Sequence, residues 1–316
     1  MMTIALAIHG GCGTLPKSEM TAAEWAEARA DLAASLRAGW AILAKGGSAV
    51  DAVEAAVRVM EDSPHFNAGH GAAFNSDGEH ELDASIMDGA TLAAGALAGV
   101  KRIRNPISAA KALMLRGDPL LLAGAAGDTF AAHEGLDTVE NSYFSTERRR
   151  KNLSAMKIRE LVGTASQASE AEKHGTVGAV ALDSQGHLAA ATSTGGYTNK
   201  PVGRVGDSPI IGAGTYARDG RCAVSGTGKG EYFIRYCVGH ELASLIAYKG
   251  LPLEEASNAV LAELTAHEIG AGLVAIDAGG AIVAPYNTDG MYRGWVTPDG
   301  LVHVATHGEV EIAGQA

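Results

Sequence analysis

The Gly175-Thr176 dipeptide has the clearest chemical potential in the sequence, because it stands directly before the apolar run Val177 to Leu182. The hydroxyl of a threonine within a chain has no base of its own. If the Gly175-Thr176 bond is cut, Thr176 gains an α-amino group with a pKa of roughly 7.7 to 8.0, which suits it to accept the hydroxyl proton. Most Gly-Thr dipeptides before an apolar run are ordinary strand starts, so other parts of the chain must indicate whether this one is a cleavage site.

An Arg-x-x-Asp pair, Arg204 and Asp207, follows in a glycine-flanked loop. A guanidinium holds a carboxylate through two parallel hydrogen bonds, and a carboxylate can hold an ammonium. The pair therefore suits the α-carboxylate and α-amino group of a free amino acid. A lone pair of this kind is more often a surface salt bridge, but dense hydroxyls and glycines at 192–200 and 225–231 favour a binding site here.

Thr227 and Gly228 are the candidate oxyanion donors. A glycine amide and a threonine hydroxyl can both point at a developing negative oxygen, and each such donor contributes roughly 3 to 4 kcal/mol in hydrolases. A phosphate-binding loop competes for residues 226–230. It fails the pattern, because Ala223 stands where the first glycine is needed and Lys229 is followed by glycine in place of Ser or Thr.

Composition narrows the class of protein. The 316 residues carry a formal net charge of -11, which argues against nucleic acid or an anionic membrane as partner. Three widely spaced cysteines predict neither a disulfide framework nor a zinc site. The first apolar run is too short for a signal sequence, and no run of roughly 20 apolar residues predicts a membrane span. We therefore expect a cytoplasmic protein.

The order of predicted elements indicates an α+β fold with two packed sheets between helix layers. A capping box at Thr21 and a cap at Ser48 predict two helices after a strand at Thr3 to Ile8. The basic run at 148–151 is short and lacks aromatics, which favours a solvated helix end over a nucleic-acid patch. Small polar residues behind it predict a mobile linker. Further strands are predicted at 177–182, 188–193, 210–214, 222–225, 272–277 and 281–285, and helices at 231–248 and 252–267.

Seven blocks, spread in order over most of the chain, resemble the plant-type L-asparaginase/isoaspartyl peptidase family. The resemblance implies a four-layer αββα sandwich of the N-terminal nucleophile hydrolases, built as a single domain over 1–316. It also implies autocleavage into an α chain, 1–175, with a mobile C-terminal linker at about 145–175, and a β chain, 176–316. The blocks are His9-Gly10-Gly11, Phe66 to Gly69, Leu82 to Gly89, Gly175 to Asp183, Ala191 to Gly196, Gly203 to Pro209 and Asn287 to Met291.

The resemblance also implies roles for individual residues and an activity, the hydrolysis of β-aspartyl dipeptides and L-asparagine to L-aspartate. It implies no cofactor for catalysis, a structural sodium ion, and self-association as a dimer of αβ units. The implied catalytic residues are Thr176 as nucleophile, Thr194 as its orienting neighbour, and Thr227 and Gly228 as oxyanion donors; Arg204, Asp207 and Asn67 would bind substrate. Backbone carbonyls of Met60, Glu61, Ser63, Phe66, Ala68 and His70 would bind the sodium.

Two alternatives stay open at this point. A glycosylasparaginase-like amidase shares the fold, but such enzymes are secreted or lysosomal, and neither a signal sequence nor paired cysteines are recognised here. A non-processing amino-acid-binding protein would use the Arg204 and Asp207 pair without chemistry. Lys229 departs from the small residue more usual in the family, which leaves the leaving-group preference undecided.

Overall fold

The computed structural model describes residues 3–13, 20–164 and 175–316. Its helices are α1 (Ala22–Leu43), α2 (Ala49–Asp62), α3 (Pro106–Arg116), α4 (Ala125–His133), α5 (Glu147–Leu161), α6 (Gly230–Tyr236), α7 (Val238–Lys249) and α8 (Leu253–Ala266). Its strands are β1 (Ala5–Cys12), β2 (Leu82–Asp88), β3 (Ala94–Val100), β4 (Leu121–Ala123), β5 (Val177–Leu182), β6 (Leu188–Thr194), β7 (Thr215–Arg218), β8 (Cys222–Gly228), β9 (Ala271–Asp277), β10 (Ile282–Val283), β11 (Met291–Val296), β12 (Leu301–Ala305) and β13 (Val310–Gln315).

The two predicted helix starts are confirmed. The Thr21 side chain accepts a hydrogen bond from the Glu24 amide while the Glu24 carboxylate accepts one from Thr21, which completes the capping box. Ser48 caps α2 by accepting from the Asp51 amide at 3.1 Å. These caps satisfy amides that have no partner within their own helix.

The strands form two sheets, and together with helices α1 to α8 they make a mixed helix-and-sheet fold. The larger has nine strands in the order β13-β12-β11-β1-β5-β6-β2-β3-β4, and the smaller has the order β10-β9-β8-β7. β5 lies between β1 and β6 and pairs antiparallel with both. The strand that follows Thr176 is therefore an interior strand, hydrogen-bonded along both edges.

β1 and β5 are buried on both faces, as their continuous apolar sequences predict. Leu6 and Ile8 of β1 pack in a core with apolar side chains of α1 and α2. Ala5 and Ala7, on the other face, pack in a second core with side chains of β8, β9, α7 and α8. Each fully buried Leu or Ile contributes about 1.5 to 3 kcal/mol before the entropy of ordering it is counted.

The predicted linker at about 145–175 is wrong over its first part. Residues 147–161 form α5, which begins with Thr146 accepting a hydrogen bond from the Arg149 amide. The basic run does begin a helix, but Arg149 is buried instead of solvated. The remaining part of the predicted linker, 165–174, lies outside the described residues.

Two further predictions about elements need correction, and three strands were missed. Residues 210–214 form turns in place of the predicted strand. The helix predicted over 231–248 is divided into α6 and α7 at Cys237, which has a left-handed backbone with φ of +48°. Strands β11 to β13 were not predicted, although β11 pairs directly with β1. Among the described residues no helix is both long and apolar enough to cross a membrane.

Candidate active site

Strand pairing brings Thr194 beside Thr176. Val177 pairs with Ser193 in the β5–β6 ladder, so the residue before β5 lies next to the last residue of β6. The Thr176 Oγ1 atom lies 3.2 Å from Thr194 Oγ1 and 2.8 Å from the carbonyl oxygen of Gly175. Both threonines are buried, with 7% and 3% of their surface exposed. The hydroxyl groups of Thr176 and Thr194 thus lie beside the Gly175-Thr176 peptide bond, for which the sequence suggested cleavage.

The Gly175 carbonyl oxygen has three hydroxyl or amide groups around it. Asn67 Nδ2 donates to it at 2.9 Å and Thr194 Oγ1 donates at 3.0 Å, in addition to the Thr176 hydroxyl. The Asn67 side chain is fixed in turn, because its Oδ1 accepts from the Ala73 amide at 2.7 Å. Fixed donors of this kind polarise a carbonyl and stabilise negative charge on its oxygen.

Two glycines allow the chain to approach this closely. A Cβ atom on Gly175 would lie 2.9 Å from the Cβ of Asn67. Gly11 has a φ of +108°, and a Cβ there would lie 3.1 Å from the Thr176 nitrogen. A larger residue at either position would displace the Asn67 side chain or the Thr176 backbone.

A small pocket, here the nucleophile pocket, opens beside Thr176. It collects six of the residues proposed from the sequence, whereas Asn67 lies behind Gly175 and is not part of the lining. The Thr227 hydroxyl is also outside the lining, because it accepts from the Cys12 amide at 3.2 Å. The pocket is lined by Gly175, Thr176, Thr194, Gly196, Arg204, Gly206, Asp207, Ser208 and Gly228.

Arg204 is paired with Glu231, a residue that the sequence analysis missed. Its Nε and Nη2 atoms lie 3.0 and 2.9 Å from the same Glu231 carboxylate oxygen. Its guanidinium also lies over the Tyr197 ring, 4.7 Å from the ring centre. Glu231 lies in the first turn of α6, directly after the glycine-rich end of β8. An acidic residue at this position was the feature of the sequence that could have indicated a role for Glu231 in the site.

Asp207, by contrast, has an oxygen that no group of the described residues hydrogen-bonds. The residue is 5% exposed, and its Oδ2 atom is buried without a partner among the described residues. Burial raises the pKa of this carboxyl to about 7. A buried carboxylate of this kind favours a cationic ligand, since an ammonium would supply both the charge and the missing donor.

The last turn of α2 and the loop after it carry the six carbonyl groups proposed for sodium. The Glu61 carbonyl accepts from the His70 amide at 2.7 Å, and that of Met60 accepts from the Ser63 amide. The remaining four carbonyls, those of Ser63, Phe66, Ala68 and His70, accept no hydrogen bond within the part of the chain that the structure describes. No group of three or more His, Cys, Asp or Glu side chains in that part is placed to hold a metal ion.

Comparison with known proteins agrees with the resemblance found in the sequence. A family model described as "Asparaginase" matches residues 2–306. An isoaspartyl peptidase of Escherichia coli (strain K12) is 46% identical over 294 residues, which cover 92% of each chain. A probable isoaspartyl peptidase/L-asparaginase 2 of Arabidopsis thaliana is 38% identical and is covered to 98%, with 95% of this chain; an isoaspartyl peptidase/L-asparaginase of Mus musculus is 40% identical, with 92% of this chain and 87% of that one covered. On the extent of these matches, the chain belongs to the asparaginase family.

Proposed function

We propose that the protein is a self-processing amidohydrolase that releases L-aspartate from β-aspartyl dipeptides and from L-asparagine. The names of its relatives support the substrate class. The observation that carries the proposal is the Gly175 carbonyl, whose oxygen has three donors around it and whose neighbour is the Thr176 hydroxyl. An isolated strand start needs no such arrangement.

Self-cleavage proceeds in two balanced steps. The Thr176 oxygen adds to the Gly175 carbonyl carbon, the carbon–nitrogen bond breaks, and the nitrogen takes the hydroxyl proton to become a free amine. Asn67 and Thr194 stabilise the negative oxygen that forms on Gly175 in between. Water then hydrolyses the ester, which leaves a carboxylate on Gly175 and restores the Thr176 hydroxyl. The products are chains 1–175 and 176–316.

The mature site repeats this chemistry on a substrate. The new α-amine of Thr176 accepts the hydroxyl proton, and the oxygen attacks the side-chain carbonyl of an asparagine or β-aspartyl unit. Ammonia or an amino acid leaves with a proton, and water releases aspartate from the ester. Thr194 orients the nucleophile, and Gly228 and Thr227 stabilise the oxyanion once the Thr227 hydroxyl turns from Cys12. Apart from water, the reaction as proposed uses only groups of the protein.

The substrate is held by its amino-acid head. Asp207 binds the α-ammonium group, which supplies the partner that its buried oxygen lacks. Arg204 binds the α-carboxylate, and Glu231 fixes the orientation of the guanidinium from its other side. Asn67 forms the wall behind Gly175. Because the site selects the amino-acid head of the substrate, the leaving group is less constrained. Lys229, which directly follows Gly228 in the chain, is the residue that leaves this preference undecided.

We propose a sodium ion in the loop at 60–70 as a structural element. Four carbonyl oxygens without hydrogen bonds, three of them on buried residues, fit a cation that exchanges its hydration shell for backbone oxygens. The His65 and Pro64 carbonyls are already bound by Arg148, which leaves the others for the ion. A higher melting temperature in sodium chloride than in choline chloride is the expected result.

The remaining features of the family are proposed on the same basis. Two sheets with α1 to α3 on one side and α7 and α8 on the other support the four-layer αββα arrangement in a single domain. We also propose a dimer of αβ units, which the molar mass in solution tests. Three cysteines free of disulfides and the acidic composition support a cytoplasmic location.

Aspartate release by wild-type protein and by Thr176→Ala tests the function. We expect the wild type to produce aspartate from L-asparagine and from a β-aspartyl dipeptide, and the variant to produce none. Thr198→Ala, a buried threonine outside the pocket lining, is the matched control. Activity in Thr176→Ala would overturn the assignment of the nucleophile, and an inactive wild type would favour the binding-protein alternative.

A further inference from the structure

A second pocket lies on the other side of Gly175, and the proposed chemistry does not use it. We call it the arginine pocket. Its walls include the glycine loop at 10–13, Asn67 and Gly175, together with Arg148 and Arg149 from the first turn of α5. Gly175 is therefore a wall that the two pockets share.

The two arginines are positively charged groups whose hydrogen-bond acceptors, among the residues that the structure describes, are neutral. Arg148 Nη2 donates to the carbonyl oxygens of Pro64 and His65, at 3.0 and 2.8 Å, and Arg149 Nε donates to that of Gly71. These acceptors are neutral. No ion pair within 4.0 Å joins either arginine to an acidic side chain of the described residues, and the acid that influences Arg148 at longer range, Glu24, is exposed.

Their position makes the charge more costly. Arg149 is 6% exposed, and burial together with the neighbouring Arg148 lowers the pKa of its guanidinium to about 9, which still leaves it charged at neutral pH. Both residues stand in the first turn of a helix, where the helix dipole disfavours cations. Two adjacent charges in such a place are best explained by an anion that binds between them.

We propose that Arg148 and Arg149 bind the α-carboxylate that self-cleavage creates on Gly175. The inference rests on the proposed self-cleavage and deepens it by assigning a place to the new chain end. Before cleavage the Gly175 carbonyl is held by Asn67 and Thr194. Afterwards the group carries a negative charge, which the two guanidiniums of the arginine pocket attract, whereas Arg204 on the other side is already paired with Glu231. Capture of the chain end clears the nucleophile pocket for substrate.

Carboxypeptidase Y, with intact-mass detection of the α chain, tests this proposal on the full cleaved protein. A bound carboxylate is protected, so the wild-type chain should lose Gly175 slowly. We expect Arg148→Gln and Arg149→Gln each to raise the trimming rate about tenfold, the equivalent of one charge-assisted hydrogen bond. Arg150→Gln is the matched control, since Arg150 is the next, exposed residue of the same helix. It should trim at the wild-type rate.

A competition experiment covers the case in which a variant does not fold. Acetate added to wild-type protein should accelerate trimming by displacing the chain end, and the same concentration of neutral acetamide should not. Equal trimming in all variants, or no effect of acetate, would overturn the inference while the self-cleavage stands. A chain that remains intact at its full mass would overturn the proposed function. In that case no Gly175 carboxylate forms for the arginine pocket to bind.

Discussion

The two pockets that share Gly175 differ in the sign of the buried charge that has no ion-pair partner among the described residues. The nucleophile pocket contains the buried Asp207 carboxylate with one oxygen unpartnered among the described residues. The arginine pocket contains Arg148 and Arg149, whose hydrogen-bond acceptors are neutral carbonyls. Because an isolated buried charge costs free energy, each pocket indicates the charge of its ligand, an ammonium in the first and a carboxylate in the second. The bond between Gly175 and Thr176 lies where the two meet.

Of the substitutions considered, loss of the Asn67 donor should have the largest effect, because Asn67 acts on the peptide bond that lies between the two pockets. Asn67→Asp keeps the acceptor for the Ala73 amide and removes the donor to the Gly175 carbonyl. We expect self-cleavage to slow by about a hundredfold or more, the usual effect of losing one oxyanion donor. The rate is measured by gel after synthesis of fresh precursor. Cleavage at the wild-type rate would show that Asn67 has no part in it.

Asp207 sets the pH dependence of substrate binding. Burial raises its pKa to about 7, so the carboxyl is largely neutral below that pH and charged above it. The value of kcat/KM should therefore rise as the pH increases through about 7, and fall on the acid side. Asp207→Asn should lose this step and keep only the acid limb of the Thr176 amine, whose pKa lies at roughly 7.7 to 8.0. The variant should also lose roughly 2 to 3 kcal/mol of binding, or about a hundredfold at pH 8. An unchanged acid limb in the variant would contradict the assignment.

Glu231 should have the smallest effect, because it acts only through Arg204. Glu231→Gln keeps the shape of the side chain but weakens its hold on the guanidinium. We expect KM to rise a few-fold with kcat nearly unchanged, since an ion pair becomes a hydrogen bond to a neutral amide at a partly exposed site. Steady-state kinetics on L-asparagine measure the split between the two constants. A fall in kcat alone would place Glu231 in the chemistry instead.

The sequence predicted best where function depends on residues that are local in the chain. Thr176 and its apolar strand, the Thr21 capping box and the 204–207 loop were all visible as short patterns. Glu231 was not, because its contact with Arg204 is made by folding and leaves no spacing signal. Residues 147–161 were also misjudged: their composition is polar, yet they form α5, and Arg149 is buried by carbonyl contacts that no pattern encodes. The roles of the site residues stay predictions.

If Thr176 cuts the bond before it, as we propose, the intact mass of the purified protein changes with time. We predict that the full-length species is replaced by two chains, 1–175 and 176–316, at an equal rate and without added enzyme. Thr176→Ala, prepared in parallel, should remain a single full-length species. A wild-type chain that stays intact, or a Thr176→Ala chain that is cut at the same bond, would show that Thr176 does not cleave the chain.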